Sequence, residues 1–289
     1  MQLRTFALAA AFLAVPSLAV PSFAHSQASA IPSAETGGDA AGADHGRTLL
    51  DQMVQALGGE AWLNRSTWVE YGQTAHFYKG TPDPYVTGFE EYYRLNPFAE
   101  RIIHIEHVST LAILGLPGHD SHTSATIWND QGGWDITYKG KQELPKDDRI
   151  DFAHLRKHAL EVVVKQWLHE PGVLVTYEGT DMVQRRLAEQ VSVTDAANDT
   201  VTLQLEESTH LPLSLTFKAR NDTYHDLDTV TQEFDDYHDV QGIMTPMTLT
   251  SFKNGEMVAQ RFLKKVDYTV PVASVLFDPD RPLDASTKK

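Results

Sequence analysis

The sequence predicts a mostly β chain of the α+β class, built on one antiparallel sheet with a covered face. Three observations carry this. Residues 199–268 alternate between apolar and polar; the turn dipeptide Asn254-Gly255 sits inside the longest alternating stretch; and only two segments show a helical period. In the hairpin from Ile243 to Val266, a type I′ turn needs φ > 0 at both central positions, which Asn and Gly adopt most readily. With Lys253 opposite Glu256, Ser251 faces Val258, Leu249 faces Gln260 and Met247 faces Phe262. Ile243, Met247, Leu249, Val258, Phe262 and Val266 then share one face, leaving Thr248, Thr250, Arg261 and Lys265 on the other, with Phe252, Met257 and Leu263 as exceptions.

Taken in order, the chain opens with Arg4 and an apolar run from Phe6 to Val20 broken by Pro16, followed by Ser22-Phe23-Ala24. That is the layout of a cleavable secretory signal over residues 1–24, so export to the periplasm of a bacterial envelope is expected, with no transmembrane segment in the mature chain. Residues 25–43 are small and polar and read as a disordered lead-in. A helix is expected from Asp44 to Leu57, where Leu49, Met53 and Leu57 form a stripe that Leu50 and Val54 widen, and Gly58-Gly59 ends it.

From Thr67 the period becomes two, with Val69, Tyr71, Ala75 and Phe77 on one side of a long strand. Tyr85 to Leu95 and Arg101 to Val108 follow as strands. Leu111 to His122 reads as a loop, and Thr123 to Asn129 with Trp134 to Tyr138 as a hairpin around Gly132-Gly133. Asp148 to His169 is expected to be helical, with Phe152, Leu155, Ala159, Val162, Val163 and Trp167 on its apolar side. His154, His158, Glu161, Lys165 and His169 lie on another side, read as a solvated face. Strands then run from Val173 to Tyr177 and Val183 to Val193, ahead of the meander. The count is about eleven or twelve strands. Residues 44–283 read as one domain and 284–289 as a polar tail.

The chain contains no cysteine, which excludes disulfides, thiolate metal sites, cysteine nucleophiles and an amino-terminal lipid anchor on cysteine. Its net charge of −15 disfavours nucleic acid and anionic lipid surfaces as partners, and loss of the leader removes a base, Arg4, and no acid.

Several short pieces recur together: Leu57-Gly58-Gly59-Glu60, Gly133-Trp134, Thr209-His210-Leu211-Pro212, Asp236-Tyr237 with Val240-Gln241-Gly242-Ile243, Pro246, Asn254-Gly255, and Phe277 with Pro279. In order and spacing they resemble the LolA/LolB-like superfamily of outer-membrane lipoprotein-sorting carriers, over roughly His45 to Pro282. The resemblance implies a curved, incomplete β-barrel with a helical lid and a role in holding acyl chains. The matching residues are turn and packing residues, so no catalytic position carries over, and Glu206-Glu207 is a small departure from the pattern.

A bent sheet with one apolar face needs a lid or a ligand. The Asp148–His169 helix is the expected lid. Val69, Tyr71, Phe77, Phe89, Ile103, Ile105, Trp134 and Ile136 are the expected ligand-binding residues, and Phe77→Asp with Ile103→Asp is expected to abolish lipid uptake. The partners expected are a lipid or lipoprotein acyl chain and an envelope protein. The competing readings are a dry core, an exported protein–protein interaction module without ligand, and a metal-dependent hydrolase built on His104, His107, His119, Asp120 and His122. His104 and His107 point to opposite faces of a strand, and no zinc-binding spacing, Gly-x-Ser-x-Gly elbow or phosphate loop is present. No catalytic residue, metal or cofactor is expected.

Overall fold

A computed structural model describes residues 40–108, 119–221 and 225–283. The leader, most of the lead-in, the tip of the loop after Val108 and the polar tail lie outside the described residues.

The apolar stripe of α1 (Ala40–Leu57) is buried at Leu49, Leu50, Met53, Val54 and Leu57. The helix starts at Ala40, inside the expected lead-in. It ends in a Schellman closure: the Gly58 N–H donates to the Gln55 carbonyl at 3.1 Å and the Gly59 N–H to the Val54 carbonyl at 2.9 Å. A short α2 (Glu60–Asn64), unexpected from the sequence, follows directly. Then come β1 (Thr67–Tyr78), β2 (Thr81–Arg94), β3 (Ala99–Val108), β4 (His119–Asn129), β5 (Gly132–Thr137) and β6 (Gly140–Glu143). The expected loop thus gives way to strand at His119. The single expected helix is two, α3 (Lys146–Lys157) and α4 (Leu160–Lys165), with a 3₁₀ turn at Trp167–His169. The remaining strands are β7 (Leu174–Val183), β8 (Arg186–Thr194), β9 (Thr200–Glu206), β10 (Pro212–Asn221), β11 (Asp226–Val240), β12 (Ile243–Lys253) and β13 (Glu256–Asp267).

Thirteen strands form one open antiparallel sheet in the order β6-β5-β4-β3-β2-β1-β13-β12-β11-β10-β9-β8-β7. The strand beyond the expected twelve is β6, whose Gly-Lys-Gln-Glu sequence is exposed throughout and shows no alternation. Two meanders, β1–β6 and β7–β13, meet at the β1/β13 seam. The chain leaves the first meander at one edge of the sheet and enters the second at the other edge, so α3 and α4 must cross the whole sheet. A helical roof is built into the connectivity.

That crossing also shows how strongly the sheet bends. Phe152 of α3 stacks on Trp128 of β4, with ring centroids 3.9 Å apart and planes at 4°. His158, at the end of the same helix, stacks on Phe217 of β10 at 4.0 Å and 6°. Six residues of helix cover about 9 Å, whereas seven strand steps separate β4 from β10 and span roughly 34 Å along a sheet. The strands must curl into a deep trough for one short helix to touch both walls.

Inside the trough, α1, α2 and α4 pack on β7–β11 through a core that includes Met53, Val163, Val191, Val201, Leu203 and Phe217. A second core lies on the outer face, where Ile103, Ala125, Ile127 and Ile136 pack with Leu283 against them. Arg101 Nη1 donates to the Leu276 carbonyl at 3.1 Å and Asn129 Nδ2 to the Phe277 carbonyl at 3.3 Å, holding the carboxy-terminal segment on that side. The sheet is therefore covered on both faces in its β2–β5 part.

The Asn254-Gly255 turn forms, with φ of 54° and 80°, and Lys253 pairs with Glu256. Beyond it the register differs from expectation. A bulge between Ser251 and Phe252 pairs Ser251 with Ala259, Leu249 with Arg261 and Thr248 with Phe262. One added residue turns every later side chain to the other face. Val258 and Phe262 are consequently 37% and 40% exposed, while Arg261 turns inward.

Candidate functional site

Between the sheet and α3–α4 lies a hollow of about 440 Å³. Its wall is apolar, formed by Leu215, Phe217, Val230 and Phe234 from β10–β11 and by Ile243 and Leu249 from β12. Phe152, Leu155, Ala159 and Leu160 roof it, and half-exposed Leu155 marks the rim. The other side is polar. Cross-strand pairing sets Trp68 beside Tyr93, Glu70 beside Glu91 and Gly72 beside Phe89, all on the inner face, and Tyr93 beside Glu100 one strand further. Glu70, Glu91 and Glu100 thus stand in neighbouring strands around Arg261, which pairs closely with Glu91 and lies 3.4 Å from Glu70.

Burial, and then the charge of Glu91, push the Glu70 carboxyl up to about 7, against the pull of Arg261, a 3.0 Å hydrogen bond from Trp68 Nε1 and the charge of Arg65. Glu100 is raised well above the ordinary carboxylate range by burial first and Glu91 second. Burial thus favours the protonated form of both acids, and the closest partner of Arg261 is Glu91.

None of the eight expected ligand-binding residues lines the hollow. Phe89 alone is on the inner face, buried under the Arg261 guanidinium at 4.2 Å. Val69 and Tyr71 alternate with Trp68, Glu70 and Gly72 and so point outward, as does Phe77 further along the same phase. Ile103, Ile105, Trp134 and Ile136 belong to the outer core. The cause is that both faces are covered: the greasier phase of β2–β5 is packed under the carboxy-terminal segment, and the inner phase holds buried charges that look like solvent-facing residues in sequence. Ile103→Asp is therefore expected to lower stability by about 3 kcal/mol or more through the outer core, which equilibrium denaturation would measure.

The expected solvated face of the second helix is also corrected. His158 is 1% exposed, with Nδ1 2.6 Å from the His154 carbonyl and Nε2 2.9 Å from Asp199 Oδ2. Glu161 turns into the hollow, where Tyr93 Oη donates to it at 3.4 Å. The helix breaks after Lys157, which rotates the residues beyond it away from a single continuous face. Lys157 joins His158 on Asp199, at 2.5 Å, and so fastens the roof to the β8–β9 turn.

Burial raises the Asp199 carboxyl, but hydrogen bonds from Lys157 and His158 outweigh it and hold the group below its ordinary value. A lowered native value means that this contribution is complete above about pH 4 and is lost as pH falls through the native value. Asp199→Asn is expected to cost about 1–2 kcal/mol and to speed amide exchange in Val162–Val164; unchanged exchange there would refute the fastening role.

His104 Nε2 lies 3.0 Å from Thr126 Oγ1, and burial first of all lowers its ring's proton affinity. The side chains of His107, His119, Asp120 and His122 lie outside the described residues, and among those described no group of three or more ligating side chains could hold a metal. Sequence reading missed Glu70, Glu91, Glu100 and Arg261 as a set. The available signal was charge inside strands next to aromatics, as in Trp68-Val69-Glu70 and Glu91-Tyr92-Tyr93.

No family model matches the chain, and no curated protein matches it in sequence. Its structure is similar to that of a candidate outer membrane lipoprotein-sorting protein domain from Vibrio parahaemolyticus, at 8% identity and a TM-score of 0.51, covering 80% of this chain and 100% of that one. A LolA superfamily protein from Nitrosomonas europaea matches at 9% identity and a TM-score of 0.48, covering 81% of this chain and 97% of its own. The lipoprotein LppX of Mycobacterium tuberculosis matches at 12% identity and a TM-score of 0.30, covering 78% and 99%. At such identities the likeness is one of fold: like the Vibrio domain, this chain is built on an open antiparallel sheet, here curled beneath a helical lid.

Proposed function

We propose that the protein is an exported carrier that holds a lipid or lipoprotein acyl chain noncovalently in the hollow beneath α3 and α4. The observation that carries this reading is the hollow itself: about 440 Å³, apolar along one wall, and roofed by a helix that touches both sides of the trough. Its volume falls within the roughly 300–1,000 Å³ of small-molecule sites. Each buried methylene contributes about 0.8 kcal/mol, so one chain binds there without a specific polar contact. The solved Vibrio domain with this fold is described as a candidate in outer membrane lipoprotein sorting, which agrees with the same reading. No helix among the described residues is long and apolar enough to cross a membrane.

Organic extraction and native mass spectrometry of the protein purified from the envelope are expected to recover a bound acyl lipid. Leu249→Asp, which puts a carboxylate into the apolar wall, is expected to weaken loading at least about tenfold. A protein that purifies empty and cannot be loaded would instead fit an exported interaction module. Amino-terminal sequencing of the exported form is expected to begin after Ala24, and recovery of Met1 would remove the export step.

A further inference from the structure

Arg65, in the turn after α2, is a guanidinium in the wrong place for a carrier of purely apolar cargo. Its side chain is only 10% exposed and lines the hollow. Its Nε and Nη1 are buried without a hydrogen-bond partner. Its Nη2 comes no closer than 3.9 Å to Glu161, too far for a hydrogen bond. Two indoles flank it, Trp62 at 4.4 Å and Trp68 at 5.2 Å, and they hold the cation without satisfying its N–H groups. An orphaned buried N–H is costly and rare in native proteins.

A second cation faces the same hollow from the roof. Arg156 of α3 lies over Phe98 at 4.4 Å, and its Nη1 is also buried without a partner. Between the two stands Tyr93, stacked on Trp68 at 4.1 Å. Lys165, which donates to the Arg65 carbonyl at 3.3 Å, has its ammonium's proton affinity lowered by burial first and by the like charge of Arg65 second. Arg261, by contrast, is held by Glu91 and Glu70, so the terminal N–H groups left over in the hollow are those of Arg65 and Arg156. Those N–H groups lack an acceptor.

We propose that its occupant is an amphiphile with an anionic head, received deep in the site by the unpartnered N–H groups of Arg65 and Arg156, with its chain lying along Phe234 and Leu249. A planar guanidinium offers paired donors to a carboxylate or phosphate, and the flanking indoles keep that plane fixed. This inference rests on the carrier reading and adds the head group to it.

The test compares palmitate, hexadecan-1-ol and inorganic phosphate on the delipidated full chain at pH 6.5, by competition against a fluorescent fatty acid. Palmitate is expected to bind at least about tenfold more tightly than the alcohol, since a charge-assisted pair is worth that much or more. Arg65→Met is expected to bring palmitate down to the level of the alcohol measured on the same variant, and Arg65→Lys to restore part of the preference. If Arg65→Met no longer binds the alcohol, Arg156→Gln supplies the same comparison. Equal binding of palmitate and alcohol by the wild type would overturn the anionic head and leave the carrier reading standing. Binding of neither would overturn both. Phosphate competing as well as palmitate would replace the amphiphile with a free anion and overturn the proposal.

Discussion

Glu70→Gln is expected to stabilise the protein at pH 8 by about 2–3 kcal/mol and to flatten its pH–stability profile. The native Glu70 carboxyl titrates at about 7, against an ordinary value of 4.5. Between those values the folded chain holds a proton that the unfolded chain has released, so stability falls as pH rises from about 4.5 to about 7, then levels off. A shift of that size corresponds to a cost on the order of 3 kcal/mol once the group is ionised. Glutamine keeps an amide oxygen for the 3.0 Å hydrogen bond from Trp68 Nε1 and cannot ionise. For a chain of this length the gain is roughly 5–10 °C in Tm at pH 8, and little change is expected at pH 4.5. Thermal unfolding across this range decides it: parallel profiles for the two proteins would mean that Glu70 is not the titrating group. Glu100→Gln acts in the same direction, since burial and Glu91 raise that carboxyl as well.

Gly72→Ala is expected to destabilise the protein by about 3 kcal/mol or more. Gly72 sits at the bulge on the β1/β13 seam, where the two meanders join. A Cβ there would fall 2.2 Å from the Phe262 carbonyl oxygen and 2.8 Å from the Phe89 ring. The first neighbour is backbone, so relief requires moving β13 itself, and the second is held under Arg261. Gly80→Ala, at a turn with open space around it but φ of 73°, isolates the ordinary cost of backbone strain. Urea denaturation of both variants is the measurement. A Gly72 variant no worse than the Gly80 one would show that the seam yields easily.

Much of the architecture is legible in the residues. The α1 stripe, the paired glycines after it, the Asn254-Gly255 turn and most strand segments are local signals, and each appears where the pattern puts it. The bulges are different. One between Ser251 and Phe252 turns Val258 and Phe262 outward and Arg261 inward, and one at Tyr71/Gly72 lets Arg261 reach the glutamates. Alternation continues on either side of a bulge, so the pattern alone does not place it. Nor does it reveal that His158 is buried, because that follows from α3 stopping early and from Phe217 arriving from a strand far along the chain.

By itself, then, the sequence determined α1, most of the strand segments and that the strands form an antiparallel meander, because period and turn chemistry act over a few neighbouring residues. Which face of the sheet is hollow was decided only in three dimensions. The carboxy-terminal segment covers the outer side of β2–β5, which makes the apolar phase there a dry core. The crossing of α3 and α4 encloses Glu70, Glu91, Glu100, Arg261, Arg65 and Arg156, whose charges read as solvent-facing until two distant walls close around them.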